Sequence, residues 1–177
     1  PDIVVYLEAL ERRIRGKRLE RVVLRSPFLL RTVDPPIGSA AGRTVQALTR
    51  IGKRIVVDLG DELYLVIHLM IAGRFRWLVA GAKLPGKLAL AAFEFADGTL
   101  VLTEAGTKRR ASLHVIQGKV QLDAVDRGGL EVLTSSVEAF GERLGSENHT
   151  LKRALTGWLQ WMEEGYNALG IMEKHLA

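Results

Sequence analysis

The chain has 177 residues, of which 47% are hydrophobic and 25% charged, with a formal net charge of +5 and no cysteine. That length can bury a substantial core in one domain or two domains in contact, and the composition is that of a folded globular protein. The lack of cysteine excludes disulfides, thiolate nucleophiles and Cys-ligated zinc. His68, His114, His149 and His175 show no metal-ligand spacing, so neither a metal nor another cofactor is expected. The longest apolar run, 63–72, is interrupted by His68 and falls short of the roughly 20 residues a membrane helix needs. With no secretory pattern at the start, the expectation is a cytoplasmic protein that does not engage a membrane. The positive balance favours polyanionic partners through phosphate neutralisation and counterion release.

Ile3, Tyr6, Leu7, Leu10 and Ile14 recur at helical steps and predict an amphipathic helix over 3–14. Pro1 and Asp2 suit its first turn. After Gly16 the pattern changes to short β-prone runs at 22–25, 44–48, 54–59, 63–69, 88–95, 99–103 and 111–116. Turn chemistry separates them: Asp34-Pro35-Pro36, Gly60-Asp61, Lys83-Leu84-Pro85-Gly86 and Asp97-Gly98. An antiparallel sandwich or flattened barrel follows. From Asp126-Arg127-Gly128-Gly129 onward helical spacing returns in Leu130, Leu133, Val137, Phe140 and Leu144. A second helix is predicted from Asn148 or His149 to about Met162, with Asn148 as its N-cap, and a third from Ala168 to the end. The order helix, sandwich, helices is an α+β fold, with a first domain at 1–125 and a helical one at 126–177.

Six motifs carry more specific information: Gly16-Lys17-Arg18-Leu19, Arg25-Ser26-Pro27-Phe28-Leu29-Leu30-Arg31, Gly42-Arg43-Thr44-Val45, Arg50-Ile51-Gly52-Lys53, His68-Leu69-Met70-Ile71-Ala72-Gly73-Arg74 and Asp97-Gly98-Thr99-Leu100. In this order they resemble the signatures of the formamidopyrimidine/endonuclease VIII type DNA glycosylases. Glu147 to Leu155 further resembles the start of the second helix of that family's helix-two-turns-helix module, so the resemblance covers about residues 1–156. It implies a DNA-repair enzyme that binds double-stranded DNA carrying a damaged base or an abasic site. Such an enzyme flips an oxidised base from the stack and acts as glycosylase and AP lyase in base excision repair. A monomer is expected.

In that family the amine of an N-terminal proline attacks C1′ of the damaged nucleotide to form an imine, and the adjacent glutamate handles protons. Pro1 and Asp2 are the positions the resemblance offers for these catalytic roles. A second register matches them instead to the later Pro-acid pair of P-E-L-P-E-V-E. That register runs to Gly16 without a gap, places Ile3, Tyr6 and Leu10 on the helix-facing apolar positions, and is preferred on that ground. Pro1 is then a helix-start residue, and the nucleophilic proline and its glutamate lie outside the chain.

Lys53 matches the family lysine that points into the DNA groove, where a cation holds a phosphate beside the extruded nucleotide; its plain alternative is a solvated lysine at a strand edge. His68 matches a phosphate-contacting histidine, or else packs as a hydrogen-bonded core residue. Ile71 takes the place of the methionine wedge that fills the hole left by the flipped base, or is simply sheet core. Lys108, Arg109 and Arg110 stand where a D-P-R-R-F-G loop is usual; they form a phosphate patch without its aromatic, or a solvated loop. Lys152 suits a phosphate at a helix N-terminal turn, and Asn167 falls one residue out of register with a phosphate-holding asparagine. After Thr156 the match frays: Trp158, Trp161 and Met162 read as core or contact surface, and the family's C-terminal finger has no counterpart. Two other functions stay open: a catalytically inactive or truncated DNA-binding homologue, and a basic α+β protein-interaction domain.

Overall fold

The computed structural model describes residues 2–105, 108–126, 136–139 and 142. Helix α1 covers Asp2–Ile14 and turns the expected stripe inward, with Ile3, Tyr6, Leu10 and Ile14 all in the core. Arg12 and Arg13 occupy its last turn, where cations suit the negative end of the helix dipole. Gly16, at φ +74°, supplies the left-handed residue that ends it.

Eight strands follow: β1 (Arg21–Leu24), β2 (Ala47–Ile51), β3 (Arg54–Asp58), β4 (Leu63–His68), β5 (Gly73–Val79), β6 (Ala89–Phe95), β7 (Gly98–Glu104) and β8 (Ser112–Gln117). They form two four-stranded sheets, ordered β1-β6-β7-β5 and β2-β3-β4-β8, and every pairing is antiparallel. The fold is therefore α+β, a leading helix and an antiparallel sandwich. Ile55, Val57, Leu65 and Ile67 of one sheet share the core with Phe75, Phe93, Leu100 and Leu102 of the other. Each such side chain contributes about 1.5–3 kcal/mol on burial, more than any exposed ion pair.

Both sheets also carry apolar residues on their outer faces. A short helix, α2 (Lys119–Asp123), brings Leu122 against Val56, Tyr64, Val66 and Ile116, with Val125 beside them. On the other sheet Ala89, Ala92 and Val101 lie under Leu84 and Leu78. Burial on two faces explains why β4 reads as a continuous apolar run rather than an alternating one.

Three elements depart from the sequence expectation. The run predicted at 44–48 is displaced: β2 is Ala47–Ile51, because the tight turn after Ile51 sets its pairing with β3, while Val45 bonds back to Gly16 and Lys17. Strand β5 has no predicted counterpart. It sits at a sheet edge and alternates Arg74 and Arg76 with the inward-facing Phe75 and Trp77, which lowers its mean hydropathy. Helix α2, with Leu122 as its one buried residue, is too short to show a period. Beyond residue 126 the described positions 137–139 and 142 are helical; the predicted helices at 148–162 and 168–177, and with them most of the predicted second domain, lie outside the described residues.

Candidate functional site

Strand register brings four separate segments to one end of the sandwich. In the second sheet Ile51 pairs with Arg54, Arg54 with His68, and His68 with Ser112, so the β2–β3 turn, the end of β4 and the start of β8 lie in one row. In the first sheet Gly73 pairs with Glu104, which puts the start of β5 beside the end of β7. The β4–β5 connection therefore crosses between the sheets at this end. Helix α1 starts here too: Tyr6 meets the ring of Phe75 edge-on at 5.7 Å, whereas Arg13 lies 5.6 Å over Trp77, further along β5. Asp2 is the first helical residue, one turn before Tyr6. Pro1 lies outside the described residues.

Lys53 is exposed in the two-residue turn between β2 and β3, one position before the strand the sequence suggested. Gly52 precedes it at φ +56°, the left-handed first position such hairpin turns require. Arg50 Nη1 donates to the Gly52 carbonyl at 3.4 Å and steadies the turn. His68 closes β4 on the face opposite Leu65 and Ile67, half-buried between Arg54 and Ser112. It is thus not part of the sandwich core.

Ile71 is 65% exposed and Met70 38%, on the turn that links the sheets. The reading of Ile71 as sheet core is corrected: strand pairing stops at His68 and resumes at Gly73, so its side chain has no opposing sheet to enter. The turn is rigidly specified. Met70 adopts φ +57°, the Gly73 amide donates to the Leu69 carbonyl at 3.0 Å, and a Cβ on Gly73 would stand 2.3 Å from that carbonyl oxygen. Arg74 Nη1 then donates to the carbonyls of Ile71 at 2.9 Å and Gly73 at 2.7 Å.

Lys108, Arg109 and Arg110 are exposed on the β7–β8 connection. Their roles differ, because the Arg109 guanidinium donates to the Lys87 carbonyl and anchors the loop, leaving Lys108 and Arg110 as its outward cations. Beneath them Glu104 is only 2% exposed. Its carboxylate accepts the Arg110 amide at 2.9 and 3.0 Å and the Ala111 amide at 3.2 Å. Lys152 and Asn167 lie outside the described residues.

The sequence alone assigned no individual role at this end to Arg54, Arg74, Glu104 or His114. The available signal was a charged or titratable residue inside an apolar strand run. His114 stands opposite Val66, one outward-facing row from His68; burial first, then the charges of Arg54 and Arg31, push its imidazole below the ordinary range, against a hydrogen bond to the Val66 backbone.

The result is an end crowded with cations from Arg25 and Arg31 to Arg110, grouped around an exposed apolar turn. The carboxylates of the strands and hairpins, apart from Glu104, gather toward the other end as Asp58, Asp61, Glu62, Glu94 and Asp97. Ion pairs follow them: Lys17 with Asp97, Arg21 with Glu94, Arg43 with Asp61, Lys119 with Asp123. Among the described residues no three His, Asp or Glu side chains converge as a metal would require. Nor is any helix among them long and apolar enough to cross a membrane.

A family model described as the formamidopyrimidine-DNA glycosylase N-terminal domain matches residues 1–113. The chain belongs to that family. A formamidopyrimidine-DNA glycosylase of Geobacter metallireducens is 38% identical over 102 residues, which are 57% of this chain and 38% of that protein. The one from Laribacter hongkongensis is 27% identical over 158 residues, 88% of this chain and 58% of that protein. The chain thus spans less than two thirds of these family members. A solved structure of the Lactococcus lactis enzyme with DNA containing Fapy-dG shares the fold at a TM-score of 0.64 and 23% identity, over 71% of this chain and 46% of that one. The same enzyme with DNA containing an abasic site matches at the same score and identity.

Proposed function

We propose that this chain binds double-stranded DNA carrying a damaged base or an abasic site, as the N-terminal part of a base-excision DNA glycosylase with AP lyase activity. One observation carries the reading: exposed cations from separate segments share one end of the sandwich with the protruding Ile71, while the surface carboxylates of the strands lie toward the other. Lys53, Lys108 and Arg110 have the exposure to hold phosphates on either side of a lesion. Ile71, on a turn locked by Gly73 and Arg74, is placed to enter the stack and hold open the gap left by an extruded oxidised base. The segment after residue 126, for which the sequence predicts helices, completes the proposal as a second DNA-contacting domain, with Lys152 and Asn167 as phosphate ligands. A cytoplasmic location accompanies a chromosomal substrate.

The chemistry needs an amine nucleophile that forms an imine at C1′. Asp2 being already helical supports the register in which Pro1 begins a helix, and this favours a second reading of these 177 residues as a DNA binder whose covalent chemistry is supplied from elsewhere. Borohydride trapping on a duplex with one abasic site separates the two. A covalent adduct, lost when the N-terminal amine is blocked, establishes the lyase. Salt-sensitive binding without adduct leaves a binder. No affinity for duplex DNA at low salt overturns both.

A further inference from the structure

We infer that Glu104 is a positioning residue that holds the basic β7–β8 loop and the Ile71 turn as one unit, so that phosphate contact and wedge insertion occur at a set separation. The inference rests on the DNA-binding reading above but names a residue that makes no DNA contact itself.

Glu104 is the last residue of β7 and 2% exposed, an environment in which an acidic side chain is rare unless its oxygens are satisfied. Here they are satisfied by the main chain of the loop. Arg110 N–H reaches both oxygens, and Ala111 N–H reaches one of them. Hydrogen bonds to an ionised acceptor are about twice as strong as neutral ones, so the carboxylate grips the loop at the point where it turns back into β8. The backbone of the same residue pairs with Gly73, and its amide donates to the Leu88 carbonyl at 3.1 Å. One residue therefore links, by side chain and main chain, the loop carrying Lys108 and Arg110, the segment before β6, and the first residue after the Ile71 turn.

Two further contacts reinforce the linkage. Thr103 Oγ1 donates to the Arg74 carbonyl at 3.1 Å, and the Arg74 guanidinium closes on the carbonyls of Ile71 and Gly73. Arg109 ties the loop to Lys87 from its other side. The carboxylate also places a negative charge under the cationic loop, which lowers the self-repulsion of Lys108, Arg109 and Arg110 when no DNA is bound. Glutamine can keep its one oxygen at the position that both amides reach, but it removes the charge and turns an N–H₂ toward the Arg110 N–H in place of the second acceptor, so Glu104→Gln weakens the grip with little change in volume.

The test compares wild type, Glu104→Gln and Arg109→Gln in the 177-residue chain, using an undamaged duplex and the same duplex with one tetrahydrofuran abasic analogue flanked by 2-aminopurine. For Glu104→Gln we expect undamaged-duplex affinity within about 2-fold of wild type. Preference for the abasic duplex should fall about 10-fold, with a matching loss of 2-aminopurine fluorescence change on binding. Arg109→Gln should lose part of the same preference. Hydrogen exchange at the Arg110 and Ala111 amides should accelerate in Glu104→Gln while the β3 and β4 amides stay protected, which shows that the fold is intact. Equal loss of affinity for both duplexes, or unchanged preference in Glu104→Gln, overturns the inference alone. A wild-type protein with no preference for the abasic duplex overturns the functional reading and this inference with it.

Discussion

The two ends of the sandwich are built from the same strands yet carry opposite solutions to surface charge. At one end Lys17, Arg21, Arg43 and Lys119 are each matched by a carboxylate, and Lys17 also lies 5.4 Å over the Trp77 ring. At the other, Lys53, Lys108 and Arg110 are exposed and the strand carboxylate nearest to them, Glu104, is buried under backbone amides. Exposed ion pairs add little to stability, typically under about 1 kcal/mol, so the matched end gains little from its pairs. Its acids do prevent a second positive surface, leaving the net charge to be expressed where the Ile71 turn protrudes. A surface on which exposed cations outnumber exposed acids carries a cost in repulsion, which the buried Glu104 carboxylate lowers in part and which a docked polyanion would lower further.

The largest test of this contrast is charge removal. The triple variant Lys53→Gln, Lys108→Gln, Arg110→Gln should weaken duplex binding about 100-fold near 0.1 M salt and lower the slope of log affinity against log salt by about 2–3. Lys17→Gln, Arg43→Gln, Lys119→Gln, with the same charge change, should alter affinity less than about 2-fold. Equal effects from the two triples, read by fluorescence anisotropy, would remove the distinction between the ends.

A pair of glycines sharpens it in structural terms. Gly73→Ala drives a Cβ against the Leu69 carbonyl, and Gly98→Ala drives one to 2.5 Å from the Trp77 ring at the opposite end. Both should destabilise the fold by about 1–3 kcal/mol in denaturant unfolding. Below the unfolding transition Gly73→Ala should also lose preference for an abasic duplex, whereas Gly98→Ala should keep it.

Smaller effects follow from single groups. His114 is held below its ordinary range, chiefly by burial and then by Arg54 and Arg31, so the unfolded chain takes up the proton more readily than the folded one. Its contribution is fully present above the unfolded value of about 6.5 and is lost as pH falls below that toward the folded value, with a slope no steeper than about 1.4 kcal/mol per pH unit. His114→Gln should flatten that part of the stability profile in thermal melts between pH 7 and 5. The smallest change is Lys17→Met at the matched end. The loss of its exposed pair with Asp97 should cost less than about 1 kcal/mol, and the acid-side sensitivity due to Asp97, whose carboxyl Lys17 holds below its usual range, should weaken with it.

Much of the fold was legible in advance. The helical spacing of Ile3, Tyr6, Leu10 and Ile14 and the turn residues between β-prone runs were enough for the leading helix and seven of the eight strands, with β2 displaced, because these signals are local. Strand β5 escaped because an edge position allows Arg74 and Arg76 on its outer face. At the candidate site, motifs singled out Lys53, His68 and Ile71 as expected DNA contacts, and their placement adds that Ile71 protrudes and that His68 lies outside the sandwich core. Glu104 had no motif to mark it as more than a strand end, and Arg109 could not be told from Lys108 and Arg110, since each depends on partners far away in sequence.

The α+β order, the cationic balance and the family could all be read from composition, periodicity and motif order, because these are properties of neighbouring residues. Which end of the sandwich is left positive, which loop cation is an anchor and which buried carboxylate joins the loop to the turn emerge from the folded arrangement alone. Those are properties of strand register. Register places Gly73 beside Glu104 and His68 beside Arg54, and it is set by the packing of both sheets at once rather than by any one segment.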